Sequence, residues 1–117
     1  MSESIIEDKT FAFAKRILDL HRFLLYKKKE YVLSKQILRS GTSIGANVAE
    51  GLDAESRIDF KHKLNIALKE ASETIYWLRL LHYGEYIDEK GFKSLYDDAH
   101  EIKAILRSII KTINENG

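Results

Sequence analysis

Not one proline occurs in 117 residues, where average usage of about 5% would place roughly six. Proline lacks the backbone N–H and its ring clashes with the preceding helical turn, so helix interiors exclude it. Its complete absence favours an all-helical chain with short, simple links. The stretch RSGTSIGANVAEG (39–51) runs against that expectation, because it holds three of the six glycines together with several hydroxyl and β-branched residues, all poor helix formers. It is either a ligand-holding loop or a helix that tolerates glycine for packing.

Apolar periodicity decides between the two. Leu33, Ile37, Gly41, Ile44, Val48 and Leu52 fall on one stripe, at about 100° per residue. The register passes through the glycine-rich stretch without a slip, which predicts a helix from Val32 to Asp53. A preceding helix from Ser4 to Tyr26 follows from Phe11, Ala14, Leu18, His21 and Leu25, and the KKKE run at 27–30 reads as a solvated connection. A third helix begins after Ser56, which with Asp59 resembles a capping box. Its inner stripe is Phe60, Leu64, Ala67, Ala71, Ile75, Leu78 and His82, with Gly84 as its stop. The fourth starts at Asp88, a good N-cap, and runs to Asn114 over Phe92, Leu95, Ala99, Ile102, Leu106, Ile109 and Ile113. Short links imply an all-α, antiparallel up-down-up-down four-helix bundle, one domain over residues 1–117.

Composition narrows the function classes. Without cysteine, disulfides and thiolate metal sites are excluded, and a cytoplasmic home is consistent with that. Charges throughout the first twenty residues leave no room for the apolar core of a signal peptide. No run approaches the length of about eighteen apolar residues that a membrane span needs. The net charge of +1 is no overall basic footprint, so a nucleic-acid role must rest on local patches.

Apolar surface exceeds what one bundle uses. The first helix carries a second stripe, Phe13, Ile17, Leu20 and Leu24, and the third carries Ile66, Trp77 and Leu80 interleaved with Glu70 and Glu73. A helix in a water-soluble monomer shows one apolar face, so these second stripes are expected to lie against other copies of the chain. The alternative is an irregular bundle whose flanks they fill. On the second helix, Thr42, Gly45 and Ala49 form a strip of small residues beside the main stripe, which lets another backbone approach closely. Its remaining face carries Arg39, Ser43, Asn47 and Glu50 in line. These are either a solvated face or a hydrogen-bonded contact to a neighbouring subunit or an RNA backbone.

QILRSGTSIGANVAEG (36–51) and FKHKLNIALKEASETIYWLRLL (60–81) resemble the 23S rRNA intervening sequence protein family. The resemblance covers nearly the whole chain. It implies a ring-like homopentamer of up-down-up-down bundles with no enzymatic activity, encoded in some members within 23S rRNA genes. It also implies kinship with the accessory proteins of diversity-generating retroelements, which bind nucleic acid and a reverse transcriptase. Matched to the family's signature, Arg39, Ser43, Asn47 and Glu50 are its polar residues, and Glu73 and Trp77 those of its third helix.

The expected partners are therefore further copies of the chain, RNA or another nucleic acid, and a nucleic-acid-processing protein. Lys27, Lys28 and Lys29, then Lys35 and Arg39, then Arg57, Lys61 and Lys63 are the candidate phosphate contacts, giving sequence-independent, salt-sensitive affinity. Against them stands ordinary solubilising charge, since 18 acids nearly balance 19 bases. Phe13, Ile17, Leu20, Leu24, Ser43, Asn47, Glu50, Ile66, Glu73 and Trp77 are the expected subunit interface.

An enzyme or cofactor site is not expected. A di-metal bundle core needs Glu-x-x-His pairs pointing inward, but Asp59-x-x-His62 and Asp97-x-x-His100 fall on polar faces. His21 and His82 lie on inner stripes, where hydrogen bonding near a bundle end is the commoner role. No G-x-S-x-G elbow occurs, and GTSIG lacks the Gly-Lys-Ser/Thr of a phosphate-binding loop.

Overall fold

The computed structural model describes residues 2–116. Among them are four helices and no strands: α1 (Ser2–Tyr26), α2 (Leu33–Leu52), α3 (Arg57–Tyr83) and α4 (Glu89–Asn116). The glycine-rich stretch is helical throughout. Cross-helix pairs fix the directions. On α1 and α4, Lys9 meets Glu101 and Arg16 meets Asp98; on α2 and α3, Glu50 meets Lys63 while Arg39 meets Glu70. In each pairing one number rises as the other falls, so the neighbours are antiparallel. The bundle is 47 Å long and about 20 Å across, with extents of 21 and 19 Å.

The stripes expected on α2, α3 and α4 form the core. Ile37, Ile44, Val48, Leu64, Ala67, Ala71, Leu78, Ala99 and Leu106 are fully buried. The stripe chosen on α1 is not. Phe11 and Leu18 face outward, while Ile6, Phe13, Ile17, Leu20 and Leu24, with Thr10 among them, turn inward. Gly41 supplies the physical reason. A Cβ built there would lie 2.8 Å from both γ carbons of Ile17, so α1 settles against α2 with Ile17 occupying the space glycine leaves. Near the other end of the contact, Gly45 lies against Thr10, whose atoms would sit 3.3 Å from an added Cβ.

The links carry specific chemistry. Ser56 Oγ accepts the Asp59 N–H at 3.1 Å and caps α3. Asp88 Oδ1 accepts the Gly91 N–H at 2.7 Å and caps α4. The KKKE run does more than solvate. Lys29 takes a left-handed φ of 55°, the Glu30 N–H reaches back to the Leu24 carbonyl, and the Glu30 carboxylate accepts from the N–H groups of Val32 and Ser34. Glu30 thus caps α2.

Gly84 stays right-handed at φ −77°, and the left-handed residue after α3 is Glu85, at φ 63°. The Tyr86 N–H bonds the Leu81 carbonyl and the Glu85 N–H the His82 carbonyl, the two bonds of a Schellman ending. An L side chain in that conformation costs roughly 1–2 kcal/mol. Glu85→Gly is therefore expected to raise stability by about 1 kcal/mol, after the entropy glycine adds to the unfolded chain. Thermal unfolding would register this as a midpoint rise of about 4 °C. No rise would show that the Glu85 side chain contributes as much as its backbone costs.

Candidate functional site

The interface expected on α1 is corrected by burial. Phe13, Ile17 and Leu24 are 0% exposed and Leu20 is 8% exposed within the single chain. No second copy can cover side chains that the bundle already encloses. The outward stripe is the other one. Phe11 is 64% and Leu18 38% exposed, with Ala14 and Leu25 half-buried beside them. Phe11 and Ala14, with Thr10 and the carboxylates of Glu7 and Asp8, line one wall of a groove of about 470 Å³, and Thr42, Gly45, Ala46 and Ala49 line the other. The small-residue strip of α2 therefore meets α1 at Gly45 and, beyond that contact, forms one wall of an open, largely apolar groove. Lys15 lies over the Phe11 ring, its Nζ 4.7 Å from the centroid.

The polar residues of α2 and α3 come together along the seam between those helices. Arg39 reaches both Glu70 and Glu73, and Glu73 also accepts the Trp77 indole N–H at 2.9 Å. Ser43 donates to the Arg39 carbonyl and Asn47 to the Ser43 carbonyl. Glu50 pairs with Lys63 at 2.7 Å. Ile66 and Trp77 are half-buried along the same seam. These side chains are satisfied inside one chain. An incoming phosphate would have to displace two carboxylates from Arg39.

The basic candidates occupy two separate ends. Lys27, Lys28 and Lys29 follow α1, and Lys35 lies in the first turn of α2. Arg57 and Lys61 open α3, a full length of α2 away, about 30 Å. Arg57 lies 3.6 Å from Glu3 and stacks over Phe60. Lys28 sits over the Phe23 ring. Among the described residues, Lys27, Lys28, Lys29, Lys35 and Lys61 form no ion pair.

The histidines do not converge. His21 Nδ1 is 3.1 Å from the Ser34 carbonyl oxygen. His82 meets Glu89 at 2.7 Å and stacks on Phe92, centroids 4.1 Å apart. His62 is exposed beside an exposed Asp59; Asp97 pairs with Lys93, and His100 packs against Tyr96. Among the described residues no three histidine, aspartate or glutamate side chains are placed to share a metal ion. Among the described residues no helix is long and apolar enough to cross a membrane.

The chain's similarity to known proteins is high along its length. A family model described as 23S rRNA-intervening sequence protein matches residues 2–108. A crystal structure of a protein of unknown function from the S23 ribosomal protein family of Bacteroides thetaiotaomicron is 55% identical, with a TM-score of 0.94. The match covers 95% of this chain and 99% of that one. No curated protein matches.

Proposed function

The chain belongs to the 23S rRNA-intervening sequence protein family, and from that premise we propose that it is a non-enzymatic, cytoplasmic binding protein that works as a homo-oligomer. The assembly implied by the resemblance is a ring-like pentamer. It contacts RNA, or a protein that handles RNA.

The observation that carries this reading is the open apolar groove between α1 and α2. Phe11 stands exposed on one wall, with Leu18 exposed further along α1, and glycine and alanine make the other wall low enough for a helix to approach. A surface of that kind marks an interaction site. Assembly also changes what weak basic clusters can do. Each cluster recurs once per subunit, and linked sites bind far more tightly than one alone.

RNA retention by the purified protein as salt rises is the functional test. Several phosphate contacts predict at least a tenfold loss between about 50 and 200 mM salt. Retention that ignores salt, or none at low salt, contradicts the reading. A second reading, a scaffold that recruits only protein, is favoured by the engagement of Arg39 with Glu70 and Glu73. Under it, alanine at Arg39 and Lys35 leaves partner capture intact.

A further inference from the structure

We propose that the face formed by α3 and α4 together is a binding surface for single-stranded nucleic acid. The inference rests on the nucleic-acid reading above and gives it a place that differs from the turn lysines.

Ion pairing divides the bundle surface unevenly. The α1–α4 seam is closed by Lys9 with Glu101 and Arg16 with Asp98. The α2–α3 seam is closed by Lys63 with Glu50 and by Arg39 with Glu70 and Glu73. Those contacts orient the helices. On α4, Ser94, Asp98 and Glu101 point to α1, so Phe92, Tyr96, Lys103 and Arg107, roughly half a turn round, lie towards α3. The Phe92 ring against His82 of α3 confirms that direction. On α3, Lys63, Glu70 and Glu73 point to α2, which leaves Lys61, Arg79 and Tyr83 on the α4 side and Tyr76 on the outward face between the two seams.

The shared face is basic. Lys61, Lys69 and Arg79 from α3 and Lys103, Arg107 and Lys111 from α4 lie on it or along its outer edge. None of the six forms an ion pair among the described residues. Of the acids nearby, Asp97 is held by Lys93 and Glu89 lies 2.7 Å from His82, while Glu85 and Glu115 stand at the two ends of the face. Burial, and then the neighbouring Arg107 guanidinium, pushes the Lys103 ammonium below its usual pKa. The smaller of the two causes places the Lys103 and Arg107 cations side by side. A chain with a net charge of only +1 thus gathers six cations on one side, while Glu50, Glu70, Glu73, Asp98 and Glu101 are engaged on the other two seams.

Exposed tyrosines supply what phosphate contacts alone lack. Tyr83 is 87% exposed on this face, and Tyr76, 53% exposed, stands at its outer edge, edge-on against Trp77 of the α2–α3 seam at 5.3 Å. A cationic track with open aromatic rings is how proteins hold single strands, the backbone on the charges and unpaired bases on the rings. Duplex bases are already stacked on one another and gain nothing from such rings. From Lys61 to Arg79 the track runs about 27 Å along the helix, room for several nucleotides.

The test is fluorescence anisotropy of a labelled 16-nucleotide oligouridylate, with the matching oligothymidylate and a duplex alongside, across a salt series. Three proteins are compared with the wild type: Arg79→Gln/Lys103→Gln/Arg107→Gln, Tyr83→Leu, and Lys27→Gln/Lys28→Gln/Lys35→Gln. Circular dichroism checks that each retains its helices. The first is expected to lower the slope of log affinity against log salt by about 2, at roughly 0.7 per lost single-strand contact. Tyr83→Leu should weaken binding about fivefold or more, and the turn variant should match the wild type. A loss confined to the turn variant overturns the α3–α4 site and leaves the nucleic-acid reading standing. An unchanged slope in the first variant, an unaffected Tyr83→Leu, or equal affinity for the duplex likewise overturns the site. A wild type that binds no oligonucleotide at low salt removes both.

Discussion

Phe13→Ala is expected to cost about 3–5 kcal/mol of folding stability, the range for emptying a fully buried aromatic site. Phe13 is 0% exposed and belongs to the central cluster with Ile17, Leu20 and Leu24. For a chain of this size the loss lowers the thermal midpoint by roughly 10–20 °C. Phe11→Ala, two residues away, is the contrast. Its ring is 64% exposed, so truncation should leave the folding of the single chain within about 0.5 kcal/mol and act on self-association instead. The pair decides which stripe of α1 belongs to the core. If Phe13→Ala folded with wild-type stability and only lost partners, the two stripes would have to be exchanged.

A methyl group at position 41 has the second largest expected effect for its size. Alanine in place of helical glycine gains up to about 1 kcal/mol from propensity. Here the new Cβ would stand 2.8 Å from two carbons of the fully buried Ile17. Those γ carbons are fixed by branching next to the backbone and cannot swing aside as a flexible chain end would. Overpacking of this kind costs roughly 1–3 kcal/mol, so Gly41→Ala should be net destabilising by about 1–2 kcal/mol, and Gly41→Val by more. Gly45→Ala should be close to neutral, since its contacts with Thr10 begin at 3.3 Å and the propensity gain offsets them. The diagnostic experiment is the double variant. In an Ile17→Ala background the two γ carbons are gone and only the Cβ, at 3.2 Å, remains close, so Gly41→Ala should lose most of its cost. Chemical denaturation of the four proteins measures the cycle. A destabilisation that persists without Ile17 would place the role of Gly41 elsewhere.

These two positions also show why the first helix was harder to read in the sequence than the others. On α2 and α4 one stripe is apolar and the rest mostly polar or small, Leu38, Tyr96, Ile105 and Ile110 forming no second stripe of equal length, so periodicity alone selects Ile37, Ile44 and Val48, or Leu95, Ile102 and Leu106. On α1, Phe11, Ala14, Leu18 and Leu25 compete with Phe13, Ile17, Leu20 and Leu24 at equal spacing. Periodicity shows that both stripes exist but not which one faces inward. The choice is made by fit against α2, where Gly41 accepts Ile17. One signal was present: Ile6 extends the Phe13 stripe by two further turns through Thr10, which gives it the length of the helix. The expectation of surplus apolar surface on α1 identified the right helix and the wrong side of it.

The links and charged faces were legible in part. Ser56 and Asp88 declare their capping roles by position. Glu30 does not, because it caps α2 from an irregular turn that only the left-handed Lys29 creates. The lysines of the α1–α2 turn stand out as a run in sequence. The α3–α4 cations do not, being scattered over some fifty residues and gathered only when two antiparallel helices lie side by side. Arg39 stood out for a related reason, yet its guanidinium is turned to Glu70 and Glu73 across a seam that no single-helix register reveals.

The central claim is that the outward stripe of α1, facing the small residues of α2, is covered by further copies of the chain. Static light scattering of the purified protein, alongside Phe11→Glu/Leu18→Glu, tests it most directly. The account predicts a wild-type mass several times the 13.5 kDa of one chain, close to fivefold, and a folded variant of single-chain mass. A wild type that remains at 13.5 kDa at high concentration, or a variant that assembles as the wild type does, would contradict it.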